Sequence, residues 1–145
     1  MTISSPQNRE IGPMHIAPCG LDCRLCRAYI RDRNPCPGCR GGDNNKSDTC
    51  LACAIKNCSE FKEGKQQFCY SCARFPCDDL LHLDRRYRLK YGVSPISNLG
   101  RIKIGGLESF IIEEISKWSC AQCGSLLCMH KPQCVNCGHE LQSRQ

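Results

Sequence analysis

Three thiols stand at Cys19, Cys23 and Cys26 in "CGLDCRLC", a C-x3-C-x2-C array. Radical enzymes use that spacing to hold a four-iron cluster, and simpler iron–sulfur proteins complete such a set with a fourth thiol. Radical chemistry needs a large (β/α) barrel of about 250 residues, and 145 residues without βα alternation do not supply one. The array is therefore read as a metal grip, closing on zinc or, alternatively, on a [4Fe-4S] cluster in the N-terminal part of the chain.

Further grips follow. C-x2-C pairs occur at Cys23/Cys26, Cys36/Cys39, Cys50/Cys53 and Cys69/Cys72, with single thiols at Cys19, Cys58 and Cys77. "CLACAIKNC" (50–58) and "CYSCARFPC" (69–77) both read C-x2-C-A-x3-C, so three cysteines and an alanine repeat at a spacing of 19. The pattern predicts two equivalent knuckle-and-helix units. "CAQCG" (120–124) and "CVNCG" (134–138) are two more knuckles, with ten residues between Cys123 and Cys134. Two thiols on such a tight turn grip one metal, and the following glycine permits the left-handed turn that aims amides at sulfur. Cys120, Cys123, Cys134 and Cys137 thus predict a closed tetrahedral site for zinc, with rubredoxin-like iron as the alternative. Cys128 and His130 lie between the knuckles, where they are expected to line the loop and, secondarily, could substitute as ligands. Eleven N-terminal thiols do not divide into fours; two sites there fit best, with His15 and His82 assigned ordinary packing or solvated roles. No C-x2-C-H is present for covalent haem, and no α/β pattern surrounds the pairs as thioredoxin-like redox chemistry requires.

Composition explains why metals are needed. Without cysteine the apolar share falls from 41% to about 30%, and Leu, Ile, Val and Phe make only about 20% of the chain. That is near the level at which a chain fails to bury enough surface to fold. A structural zinc supplies roughly 10–16 kcal/mol of apparent binding energy, so metal replaces missing core and the apo-protein is expected to be largely unfolded. The formal charge of +6 is a poor guide to nucleic acid. Three tetrathiolate zinc sites would add twelve negative and six positive charges, bringing it to about zero, since ligating thiols are deprotonated. The start "MTISSPQNREIGPMHIAP" shows no signal peptide, and no apolar run spans a bilayer. A reducing, cytoplasmic setting is the expectation, with thiols on metal rather than in disulfides.

These grips need elements to position them. Residues 1–13 are expected to form a disordered extension, 14–79 a cysteine-rich metal-binding domain, 80–118 a helical segment, 119–141 a zinc-ribbon-like module and 142–145 a tail. Met14 stands as an alternative start. Within the helical segment Leu80, Leu83, Tyr87 and Tyr91 form one apolar stripe ended by Gly92. Ser94–Pro95 caps and opens a second helix through Ile96, Leu99 and Ile102, broken at Gly105–Gly106. A third carries Leu107, Ile111, Ile115 and Trp118. These helices are expected to be the one conventional hydrophobic core, because Ile55, Phe61 and Phe68 and their like are thinly spread. Arg85, Arg86, Arg88 and Lys90 lie mostly off the stripe, as a solvated face or, secondarily, a phosphate-binding surface.

The strings "IAPCGLDCRLC", "CPGC", "CAIKNC" and "CYSCARFPC" together resemble a cysteine-rich prokaryotic group, domain-of-unknown-function family 3795. "LDRRYRLKYGVSPISNLGRIKIGGLESFIIEEISKWSCAQCG" is similar to its longer members, which end in a ribbon-like knuckle module. The resemblance implies a soluble, metal-binding protein of uncharacterised function and supplies no catalytic residues. Cys50 and Cys128 fall outside the shared pattern and, with His130, rank below the other ligands.

The combined reading is a small metal-stabilised α-rich, irregular fold, with a cysteine-knuckle N-terminal domain, short helices and a C-terminal zinc-ribbon-like module. About three zinc ions are held by Cys19, Cys23, Cys26, Cys36, Cys39, Cys53, Cys58, Cys69, Cys72, Cys77, Cys120, Cys123, Cys134 and Cys137. The function read from this is a non-catalytic interaction module contacting protein or nucleic acid. The alternatives are an iron–sulfur electron-transfer or redox-sensing protein and a thiol- or metal-handling protein.

Overall fold

The helical half is written in its caps. A computed structural model describes residues 11–12, 15–31, 33–40, 44–46, 48–53, 55, 58 and 68–141. Residues 1–10, Met14, Phe61 and the tail at 142–145 lie outside the described residues. Two one-turn helices, α1 (Arg27–Ile30) and α2 (Asp48–Leu51), precede three longer ones: α3 (Asp78–Tyr91), α4 (Pro95–Gly105) and α5 (Leu107–Lys117). Asp78 and Asp79 open α3, and Arg88 and Lys90 close it, each matching the sign of the helix dipole at its end. Gly92 takes a left-handed φ of 69°, and Gly92 and Val93 donate back to Arg88 and Tyr87, which stops the helix. Ser94 accepts from the Ser97 amide at 3.0 Å and Pro95 fills the first turn of α4, as the Ser–Pro pair predicts. Among the described residues, strand pairing is confined to isolated bridges at Ile16–Asp22, Ser119–Leu126 and Gln133–Glu140. The protein is therefore α-rich and otherwise irregular.

Two buried acids join the helices. Asp84, 6% exposed, receives the Ser94 hydroxyl at 2.6 Å, the Ile96 amide at 3.0 Å and Arg88 Nε at 2.7 Å. One carboxylate thus ties α3 to the start of α4. Arg101 on α4 donates to Glu114 (3.2 Å) and Glu113 (2.9 Å) on α5, with its guanidinium over the Phe110 ring. Burial pushes the Asp84 carboxyl up, but the bonds from Ser94, Ile96 and Arg88 outweigh it and hold the pKa below the ordinary value. A depressed carboxyl contributes stability above its unfolded pKa, and that contribution is lost as pH falls through the folded value. Asp84→Asn is therefore expected to cost roughly 2–4 kcal/mol at neutral pH. The gap to the parent protein should narrow below about pH 4. Denaturant unfolding of both proteins from pH 7 to pH 3 measures it; a pH-independent gap would show that the charge on Asp84 is irrelevant.

The core is wider than the helices alone. Leu80, Leu99, Ile102 and Phe110 share one buried cluster with Ile16, Leu25 and Phe68 from the cysteine-rich part and with Leu126, Leu127 and Met129 from the knuckle module. Ile11 is buried in it too, within the stretch expected as an extension. The sparse apolar residues of the N-terminal half are not a second, weaker core. They face α4 because Cys69 N–H donates to Pro18 O (3.0 Å) and Asn98 Nδ2 to Gly20 O (3.0 Å), which draws both cysteine loops onto that helix. Met129 N–H donates to Leu25 O at 2.8 Å, bringing the C-terminal module onto the opening loop. On α5 the buried face is Phe110, Ile111 and Glu114, with Leu107 and Ile115 at its edges, so the expected stripe is rotated towards Phe110.

Candidate metal centre

The C-terminal knuckles are copies of one turn, 14 residues apart. Cys120 N–H donates to Ser125 O (2.8 Å) and Gly124 N–H to Cys120 O (2.9 Å); Cys134 N–H donates to His139 O (2.9 Å) and Gly138 N–H to Cys134 O (3.0 Å). Gly124 and Gly138 have φ of 80° and 81°, conformations that side chains beyond glycine rarely adopt. The amides of Gln122 and Asn136 point at Cys120 and Cys134 sulfur, each at 3.4 Å. Each knuckle so presents two sulfurs on a rigid loop.

The four sulfurs converge. Cys120, Cys123, Cys134 and Cys137 place their Sγ atoms within 4.8 Å of one another, the group among the described residues that does so. Cys120–Cys137 and Cys123–Cys134 are each 3.7 Å apart. A tetrahedron of thiolates with metal–sulfur bonds of about 2.3 Å has edges of about 3.8 Å. These two edges match it and the other sulfur pairs lie within 4.8 Å, so the donor set suits a four-coordinate zinc or iron. Electrostatics favour a cation here. The Asn136 side-chain amide, then Ser125, pulls the Cys123 thiol down to about 6. Against the lowering pull of the His139 amide, desolvation and the thiols of Cys123, Cys120 and Cys134 push Cys137 up to about 12. One thiolate is stabilised and further charges are opposed, the balance a divalent ion would remove.

The N-terminal thiols are arranged differently. All are free, and Cys19, Cys23, Cys36 and Cys69 are buried. The C-x2-C turn recurs: Cys26, Cys53 and Cys72 each donate an amide to the carbonyl of Cys23, Cys50 and Cys69, at 3.0, 3.2 and 3.0 Å. Both copies of the 19-residue repeat therefore share the turn. α3 follows the second copy directly, whereas residues 59–67, after the first, lie outside the described residues. Amides also meet sulfur at Gly38–Cys36, Cys39–Cys23 and Arg74–Cys72, each 3.4 Å.

Three neighbourhoods emerge from which thiols perturb one another. Burial and then Cys39 raise Cys19, with Cys69 and Cys53 adding to it, while Cys39 itself bonds Cys23 and raises it. Burial followed by Cys77, Cys58 and Cys72 pushes Cys69 up to about 12, and Arg74 faces Cys72, Cys58 and Cys77. Burial raises Cys26 as well, with Cys50 and Cys128 as its thiol neighbours. In the first repeat copy Cys50, Cys53 and Cys58 act on different thiols, Cys26, Cys19 and Cys69 in turn. Among the described residues, none of these groups converges as the C-terminal four do.

His15 and His130 are engaged in packing, and His82 is exposed. His130 Nδ1 accepts from the Arg27 amide (3.3 Å), Nε2 meets the Tyr87 hydroxyl (3.5 Å), and the ring stands edge-on to Tyr91 at 4.7 Å. His15 Nδ1 accepts from the Gly12 amide (2.7 Å), and its Nε2 is 2.9 Å from the Tyr29 hydroxyl. Asp22, inside the opening motif, caps the turn by accepting from the Arg24 amide at 3.0 Å. Its Oδ2 is buried without a hydrogen-bond partner, and burial pushes the carboxyl up to about 7. Sequence reading singled out neither Asp22 nor the basic side chains near it, because their setting depends on chain segments about a hundred residues away.

No helix among the described residues is long and apolar enough to cross a membrane. No curated protein and no solved structure matches the chain. The matched family segment ends at His82 in α3, so α4, α5 and the knuckle module lie beyond it. Residues 15–82, the cysteine-rich part of the chain from His15 through both copies of the repeat, match the family described as "Protein of unknown function (DUF3795)".

Proposed function

We propose that the chain is a zinc-stabilised, non-catalytic interaction module of the cytoplasm, folded around about three metal ions. The observation that carries this is the C-terminal tetrahedron. Four protein thiolates gathered within 4.8 Å, two of their edges at 3.7 Å, would fill a tetrahedral coordination shell and leave no open position for substrate, the mark of a structural site. Cys58, Cys69, Cys72 and Cys77 are the best-supported second set, gathered near Arg74. Cys19, Cys23 and Cys39 form the nucleus of a third. Sixteen free thiols fit a reducing compartment.

Anaerobic purification with elemental analysis and a visible spectrum tests the reading. A colourless protein with about three zinc ions per chain is the expected result. Brown protein carrying iron and acid-labile sulfide would replace it with the iron–sulfur reading, and substoichiometric, exchangeable metal with titratable thiols would replace it with metal handling.

A further inference from the structure

Where the opening loop meets the C-terminal module the chain forms a cleft of about 610 Å³. Arg24, Arg27, Arg31 and Lys131 line it, with no carboxylate among the described lining residues. Ile30, Leu126 and Val135 add an apolar surface, and Val135 is 51% exposed. Four cations lining one cleft attract an anion through their summed field.

The cations are held in place. Arg31 donates Nε to Asn34 O (3.0 Å) and Nη2 to Asn45 O (2.9 Å), fixing its charge at the rim. The Arg24 guanidinium lies over the Tyr29 ring at 5.2 Å. The two sides are joined by Met129 N–H to Leu25 O and by the Arg27 amide to His130. Guanidinium groups bind phosphate through paired, planar hydrogen bonds. A ligand anionic at one end and flat and apolar at the other suits a cleft lined by both cations and apolar side chains. A carboxylate-rich peptide would leave Ile30 and Val135 uncovered.

We propose that this cleft binds the phosphate of a nucleotide unit, with Arg24, Arg27 and Lys131 on the phosphate and Ile30, Leu126 and Val135 beneath the base. The inference rests on the interaction-module reading and gives that module its partner chemistry. The unit is supplied either by a free nucleotide or by a single-stranded nucleic acid.

Fluorescence anisotropy of the metal-loaded protein with a labelled 12-residue oligonucleotide, competed by ATP, inorganic phosphate or polyglutamate, is the test. The variant combining Arg24→Gln, Arg27→Gln and Lys131→Gln is expected to bind at least tenfold more weakly. Its salt-dependence slope should fall by about 0.7 for each phosphate no longer neutralised. Arg85→Gln with Arg86→Gln, on the exposed face of α3, should change binding less than twofold. Affinity rising with oligonucleotide length identifies a strand as the source; full displacement by ATP without length dependence identifies a free nucleotide. Unchanged binding in the triple variant, equal loss in the α3 variant, competition by polyglutamate as strong as by ATP, or no binding at all would overturn the proposal. Metal content and Trp118 fluorescence are recorded on the same samples. Loss of zinc or replacement by iron counts against the module, whereas absent binding with metal and fold intact counts against the cleft alone.

Discussion

Replacing Cys134 with serine is expected to remove one metal ion per chain and unfold residues 119–141. Cys134 is 2% exposed, and its sulfur receives the Asn136 amide and lies 3.7 Å from Cys123. A structural zinc contributes roughly 10–16 kcal/mol of apparent binding energy, more than a module of this size holds in apolar burial. The same loss should follow chelation of the parent protein. The sole tryptophan reports it, since Trp118 is buried at the entrance to the first knuckle and its carbonyl accepts from Leu127 at 2.7 Å. Its emission should shift to the red as the metal count falls by one. An unshifted tryptophan in a metal-depleted variant would mean that the module folds without the ion.

Gly20→Ala is expected to be the most disruptive single methyl group in the opening motif. Gly20 has φ of +97°, and a Cβ there would meet Pro95 O at 2.7 Å and Leu99 Cγ at 3.0 Å. The side chain is refused twice, by its own backbone and by the start of α4. The cost is roughly 2–5 kcal/mol from the two together, or a melting temperature about 5–15 °C lower for a chain of this length. Because Cys19 and Cys23 flank the position, N-terminal metal should be held less firmly too. Gly100→Ala makes the comparison: this α4 glycine has nothing within 4 Å of a built Cβ. It should gain about 0.5–1 kcal/mol from helix propensity. Thermal unfolding of the metal-loaded variants gives both signs, and a harmless alanine at 20 would show that the loop does not rest on α4.

Local chemistry was the legible part of the sequence. The knuckles at 120–124 and 134–138 declare themselves because two thiols and a glycine within five residues determine one turn. Gly92, Ser94–Pro95 and Gly105–Gly106 mark helix ends for the same reason: each acts on its immediate neighbours. Asp84, Asn98 and Glu114 escaped notice because a polar residue is buried only where partners elsewhere satisfy it, here Ser94, Gly20 and Arg101. The division of the N-terminal thiols was hidden likewise. Spacing repeats at 19 residues, but the path of the chain sends Cys50, Cys53 and Cys58 to different neighbours. The basic cleft is the extreme case, with Arg24 and Lys131 far apart in sequence and brought together through Leu25 and Met129.

The Leu25–Met129 bond and the seat of His130 between Arg27 and the α3 tyrosines make the two ends of the chain thermodynamic partners. An ion held by the knuckles would rigidify the surface on which the Cys23–Leu25 turn rests. By linkage, filling one end raises the affinity of the other by a factor that is the same in both directions. Metallation at both ends would then be a cooperative process, with the first ion acting as an allosteric effector for the next.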